Sequence, residues 1–85
     1  MTFSLHPHVT ATETEYGTVL LDHRRGRYFQ LNPTGARVLQ LMLNGASHDH
    51  AARELSEQYG ISGQQAQADV TALLTALHTA KLTKR

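Results

Sequence analysis

The sequence predicts an α+β domain: a three-stranded antiparallel sheet followed by three helices, in a winged helix-turn-helix-like order. Three observations predict it. Strand-forming runs rich in Thr, Val, Tyr and Phe fill the segment up to Leu31. From Pro33 onward the apolar residues recur at helical spacing instead. Asn32-Pro33, Ser47 and Ser62 then mark three helix starts, and Asn44-Gly45 and Gly60 mark two helix ends.

The chain is organised around the stretch Gly26 to Gly35, a short strand running straight into a capped helix. Met1 to Pro7 is expected to be a frayed lead-in. Val9 to Tyr16 alternates, with Thr10, Thr12, Thr14 and Tyr16 on one face and Val9, Ala11, Glu13 and Glu15 on the other. Neither face is strongly apolar, which suits an edge strand. Gly17 marks a turn, and Thr18 to Asp22 forms the second strand. His23-Arg24-Arg25-Gly26 is a loop in which Gly26 suits a left-handed position. Arg27 to Leu31 returns as the third strand. Leu31 precedes a helix cap and belongs in the core, so Phe29 shares its face and Tyr28 points the other way.

The first helix spans about Pro33 to Leu43. Asn32 offers its side-chain oxygen to the first-turn N–H groups, and Pro33 sits where a missing N–H costs nothing. Val38, Leu39, Met42 and Leu43 give it an apolar face. The second helix, capped by Ser47 with Asp49 in its first turn, is expected to bury Ala52, Leu55 and Tyr59. The third, capped by Ser62 with Gln65 at capping-box spacing, carries the stripe Ala66, Val70, Leu73, Leu74 and Leu77 and frays near Leu82. A tight Gly60-Ile61 turn joins helices two and three, as in helix-turn-helix units.

Length and composition narrow the function. The chain has 85 residues, enough for one small domain (residues 1–85, with an ordered core at about 9–82). It has no cysteine, so it holds no disulfide framework or thiolate zinc site, and a reducing cytoplasm is the expected setting. No apolar run reaches the roughly 18 residues of a spanning helix, and no signal-peptide pattern opens the chain, so no membrane partner is expected. The net charge of +1 sets up no strong field. Basic residues gather at Arg24, Arg25 and Arg27 and at Lys81, Lys84 and Arg85, and none lies between Gly60 and Ala80.

Six histidines raise the question of a metal. His6 and His8, and His48 and His50, are two apart, and residues two apart on a helix do not face each other. No established ligand spacing fits, so they read as solvated surface side chains with no cofactor. No nucleophile elbow or phosphate-binding glycine loop is present, so no catalytic residues are assigned. A winged-helix DNA binder is the alternative reading. Its reader would be the third helix, where Gln64, Gln65 and Gln67 could read bases. That helix has no cation to neutralise phosphate and carries Asp69, which repels it, so no nucleic-acid partner is expected.

Strand addition fits these residues better. In sequence-order pairing the third strand lies at a sheet edge, where an extended peptide can pair. The third helix can form the opposite wall, and its small Ala66, Ala68, Ala72, Ala76 and Ala80 allow close backbone approach. Asp69 borders the apolar stripe, where it could flank a groove.

The run from Gly26 to Leu39, GRYFQLNPTGARVL, resembles the PqqD-like proteins, the recognition elements for ribosomally made, post-translationally modified peptides. Leu20-Leu21-Asp22 before it and Leu41-Met42-Leu43-Asn44-Gly45 after it support the resemblance. So do Asp69-Val70, Leu73-Leu74, Leu77 and the closing Ala80-Lys81-Leu82, and together they cover Val9 to Leu82. A chain of this size is similar to the stand-alone form of lasso-peptide clusters. The resemblance implies a non-enzyme that binds the leader of a precursor peptide as a fourth strand beside Arg27, Tyr28, Phe29, Gln30 and Leu31. The leader would lie against Ala66, Asp69, Val70, Leu73, Leu74 and Leu77 of the third helix, with apolar pockets formed by these leucines, Val70, Tyr28 and Phe29. It also implies presentation to a separate cysteine-protease-like leader peptidase and then a cyclase. Gln30 departs from the charged residue common at that position.

Overall fold

The structure, a computed structural model, describes residues 3–84. The elements are β1 (Val9–Thr14), β2 (Gly17–Asp22), β3 (Arg27–Leu31), α1 (Pro33–Leu43), α2 (His48–Tyr59) and α3 (Gly63–Thr79). The strands pair antiparallel in the order β1-β2-β3, which leaves β1 and β3 as the two edges. This is the predicted α+β fold.

β1 stops at Thr14, short of the expected Tyr16, because the Thr14 hydroxyl turns the chain. It accepts from the Tyr16 N–H at 3.1 Å and donates to the Gly17 carbonyl at 3.3 Å. Gly17 has φ +132°, and a Cβ there would lie 2.0 Å from the Leu31 carbonyl oxygen. The β1–β2 turn is thus pressed onto the junction where β3 becomes α1.

The register sorts the two sheet faces. Leu20 lies opposite Phe29, Thr18 opposite Leu31 and Asp22 opposite Arg27, while Leu21 faces Tyr28 and Val19 faces Gln30. Leu20, Leu31, Thr18 and Asp22 are buried and Phe29 is half-buried, whereas Tyr28 is 74% exposed. The alternation expected for β3 therefore holds, with Phe29 and Leu31 inward and Tyr28 outward.

Each helix starts at the cap read from sequence. Asn32 Oδ1 accepts from Gly35 N–H at 2.8 Å, with Pro33 in the first turn, and the Ser47 and Ser62 hydroxyls accept from His50 and Gln65 N–H at 3.0 Å. The Gln65 side chain donates to Asp69 Oδ1 at 2.8 Å, a bond along the helix rather than the return bond of a capping box. α3 closes in a Schellman turn: Lys81 N–H donates to the His78 carbonyl and Leu82 N–H to the Leu77 carbonyl. Leu77 and Leu82 then meet in the core, as that turn favours. The turn forces Lys81 to φ +62°, a left-handed position that glycine holds without strain. Lys81→Gly is expected to raise stability by about 1 kcal/mol, read as a higher denaturation midpoint.

Two apolar clusters hold the fold. One joins Val38 and Met42 of α1 to Ala51, Ala52 and Leu55 of α2 and to Ala66 and Val70 of α3. The other joins Val9, Leu20 and Leu31 of the sheet to Leu39, Leu77 and Leu82. α1 serves both, and Leu73 packs against both. Tyr59, expected in the core, is 45% exposed. It is the last residue of α2, one turn beyond Leu55, the last residue of that helix to reach the core.

The start of the chain is also ordered beyond expectation. Leu5 forms an antiparallel bridge with Thr83, His6 N–H donates to the Leu82 carbonyl at 3.0 Å, and Lys84 N–H donates to the Ser4 carbonyl at 3.0 Å. Phe3 and Leu5 pack on the core. The ordered core thus extends outside 9–82 at both ends, while Met1, Thr2 and Arg85 lie outside the described residues.

Asp22 locks the β2–β3 loop. It is fully buried, and its Oδ1 accepts from the N–H groups of Arg24 and Arg25, both at 3.0 Å. Its Oδ2 accepts from the Arg25 guanidinium at 3.3 Å. Burial alone would raise this carboxyl, but those bonds outweigh it and hold the group below its ordinary value. Glu54 is likewise held low, chiefly by its bond from Arg37. His8, with Nε2 3.8 Å from Asp22, is pushed down by desolvation, which the carboxylate only partly opposes. His8 is therefore half-buried and stacked on His6 at 5.1 Å, not a freely solvated histidine. For all three groups the unfolded chain binds protons more readily than the fold. Stability should fall as pH drops below 6.5, through His8, and again below 4.5 and 3.8, through Glu54 and Asp22. Denaturation midpoints measured from pH 8 to pH 3 check this, and a flat profile would contradict it.

Candidate functional site

β3 pairs with β2 on one side, so alternate N–H and C=O groups on its other side are left without a strand partner. α3 stands across from that edge. No Cα of β3 lies within 8 Å of a Cα of α3, although α1 packs against both. Phe29 and Leu31 of β3 nevertheless share one apolar cluster with Leu73 and Leu77 of α3, so the two elements border the same open edge of the core, the candidate cleft. At one end the Arg27 guanidinium ties the strand to the end of α3, donating to the Ala80 carbonyl at 3.1 Å on the exposed surface. A depression of about 80 Å³ lies there, lined by Arg27, Tyr28, Phe29, Ala80 and Leu82.

Helical geometry identifies the flank of α3 that faces the strand. Gln67 donates to Asp49 of α2, and Leu74 packs on the α1–α2–α3 cluster, so that flank looks toward α2. At about 100° per residue the opposite flank carries Asp69, Leu73, Ala76 and Ala80. Ala80 is the residue tied to β3.

The expected site residues thus divide. Arg27, Tyr28, Phe29, Gln30 and Leu31 form the edge strand, with the Leu31 side chain buried and those of Arg27, Tyr28 and Gln30 exposed. On α3, Leu73 and Asp69 lie on the cleft flank, with Leu73 half-buried and Asp69 exposed. Leu74 is half-buried on the α2 side. Ala66, Val70 and Leu77 are at 0% exposure. Ala66 and Val70 pack against α1 and α2, and Leu77 packs with the sheet residues Val9, Leu20 and Leu31, so in the free domain all three are core side chains with no exposed surface. Ala80 and Leu82 line the depression at the Arg27 end; Ala76 and Ala80 were expected only as small groove residues, and Leu82 was not expected at the site. The signal for Ala76 and Ala80 was their i, i+3 and i+7 spacing from Leu73.

A second groove, of about 410 Å³, lies between β1 and α1 and includes Ala11, Glu13, Leu39 and Leu43. The β1 edge beside it exposes Glu13 and Glu15. Among the described residues no cluster of histidine, aspartate and glutamate is grouped to hold a metal, and no helix is long and apolar enough to cross a membrane.

A meander with an open edge strand beside a helix has the arrangement of domains that take a peptide as an added strand, and comparison with known proteins points to such a family. Residues 17–82 match the family model of coenzyme PQQ synthesis protein D, PqqD. The chain belongs to the PqqD family. It is similar to a structure described as lasso peptide synthetase B1 complexed with the leader peptide, with 36% identity, full coverage of both chains and a TM-score of 0.94. TbiB1 in complex with the TbiA(β) leader peptide shares the fold at 23% identity and a TM-score of 0.86, over 99% of this chain and 95% of that one. The PqqD truncation of Methylobacterium extorquens PqqCD, described as a stand-alone recognition element, shares it at 24% identity and a TM-score of 0.78, over 98% and 88%. No curated protein is significantly similar. The family resemblance read from the sequence is thereby confirmed.

Proposed function

We propose that this chain is a non-catalytic adaptor that binds the leader of a ribosomally made precursor peptide, of the lasso class, as a fourth strand on β3. It would present that precursor to a separate cysteine-protease-like leader peptidase and then to a cyclase. The observation that carries this reading is the open β3 edge, tied by Arg27 to Ala80 at the end of α3 and sharing an apolar cluster with Leu73. Main-chain bonds to β3 would supply affinity, and apolar side chains of the leader would contact Phe29 and Leu73. The similar synthetase B1, seen with a leader peptide, supports the same ligand class. Between the two open edges β3 is favoured, because the groove beside β1 sets the charged Glu13, Glu15 and Arg37 among the apolar Leu39 and Leu43 of α1, whereas β3 brings Phe29 to the apolar cluster that Leu73 also packs against.

The DNA reading finds no support in the geometry. The exposed start of α3 shows Gln64, Gln65, Gln67 and Asp69, which cannot neutralise phosphate. Fluorescence anisotropy with a labelled cognate leader should give saturable binding that changes by no more than about tenfold between 50 and 500 mM salt. Absence of leader binding, with salt-sensitive binding to random duplex, would overturn the proposal.

A further inference from the structure

We infer that a basic pocket at the Arg27 end of the cleft docks carboxylate side chains of the same peptide, just outside the stretch that pairs with β3. This rests on the leader-binding reading and adds a second specificity element to it. The pocket encloses about 700 Å³ between the N-terminal segment, the β2–β3 loop and the end of α3. Its wall includes His6, His8, Arg24, His78, Lys81 and Lys84. Arg25 also reaches it but is engaged by Asp22. Among the described residues Arg24, Lys81 and Lys84 form no ion pair. Asp22, the carboxylate beside them, is fully buried and already accepts from Arg24 N–H, Arg25 N–H and the Arg25 guanidinium. Among the described residues Asp22 is the one carboxylate near this wall, close to His8 and bonded by Arg25, so Arg24, Lys81 and Lys84 leave the pocket with an excess of positive charge.

Its position identifies the occupant. Ala80 and Leu82 line the depression at the cleft end, whereas Lys81 and Thr83, which alternate with them, line the basic pocket. The two cavities meet at one turn of chain. A strand advances about 3.3 Å per residue, so a peptide leaving β3 at Arg27 reaches Lys81 within a few residues. Lys81 carries a further sign. It occupies a left-handed position that glycine would hold without strain, yet its side chain points charge at this junction. Carboxylates in the departing segment would meet Arg24, Lys81 and Lys84 together.

The test uses the cognate leader extended at one end or the other by Glu-Glu-Glu or by Gln-Gln-Gln. At 50 mM salt one Glu-extended peptide should bind wild type about tenfold more tightly than its Gln counterpart, and the difference should vanish at 500 mM. The triple variant Arg24→Gln, Lys81→Gln, Lys84→Gln should lose that preference while binding the Gln-extended peptide like wild type. Lys81→Gly should raise the melting temperature and reduce the preference, a pairing that a purely structural lysine would not give. Equal binding of both peptides by wild type, or a preference that survives the triple variant, overturns the inference. Failure of the Gln-extended peptides to bind at all would instead sink the cleft reading. The pocket is then judged by titrating labelled protein with hexaglutamate, where amide shifts centred on Arg24, Lys81 and Lys84 are expected and their absence overturns it.

Discussion

Leu73→Glu is expected to weaken leader binding by about 100-fold or more in a domain that still folds, at a lower melting temperature because Leu73 also packs on both apolar clusters. Leu73 is half-buried and lies on the α3 flank that faces β3, so a leader in the cleft would cover the remainder of it. Covering that remainder contributes about half of the roughly 1.5–3 kcal/mol of full burial, and desolvating an unpartnered carboxylate there would add a further cost of about 2 kcal/mol or more. Together these reach the roughly 2.8 kcal/mol that correspond to 100-fold. Ala76→Trp offers a second route, because Ala76 is exposed and the indole would fill the cleft without disturbing the core. Val70→Glu makes the contrast. Val70 is fully buried between α1 and α2, so its carboxylate unfolds the domain rather than reporting on the cleft. Circular dichroism and anisotropy on the three variants separate these outcomes. Leader affinity unchanged in folded Leu73→Glu would show that the peptide binds elsewhere.

Gly17→Ala is expected to cost about 3 kcal/mol or more, the largest effect of any glycine-to-alanine change among the described residues. The added Cβ would sit 2.0 Å from the Leu31 carbonyl oxygen, at a φ of +132° that side chains rarely adopt. Relief requires moving the β1–β2 turn away from the β3–α1 junction, where Leu31 is core and Asn32 caps α1. Both walls of the cleft depend on that junction, so leader binding should fall along with the melting temperature. By contrast a Cβ at Gly26 meets nothing within 4 Å and should cost only its backbone strain. Equal stability losses for Gly17→Ala and Gly26→Ala would contradict the packing argument.

The fold was legible because its signals are local. Asn32-Pro33, Ser47 and Ser62 cap the helices they announced, and the β3 bounds Arg27 and Leu31 follow from the loop before and the cap after. The Leu5–Thr83 bridge was not legible, since pairing between the two chain ends leaves no pattern in either segment. Tyr59 was placed in the core by its spacing from Leu55, but periodicity does not say where the neighbouring helix begins. The same limit applies to the site. The stripe Ala66, Val70, Leu73, Leu74 and Leu77 reads as one apolar face. Only the packing of α2 on one flank and the Arg27–Ala80 bond on the other divide it into core and cleft. The role of Asp22 as a buried clamp was equally hidden, because it depends on the geometry of the loop that follows.

The most direct test of the account is amide hydrogen exchange, residue by residue, with and without saturating cognate leader. Alternate amides of Arg27–Leu31 point away from β2, and these should exchange rapidly in the free domain. The account predicts that the leader slows them strongly while the outward amides of the β1 edge, Val9–Thr14, keep their rates. Protection appearing along β1 instead, or unchanged exchange in β3 under saturating leader, would contradict strand addition at β3.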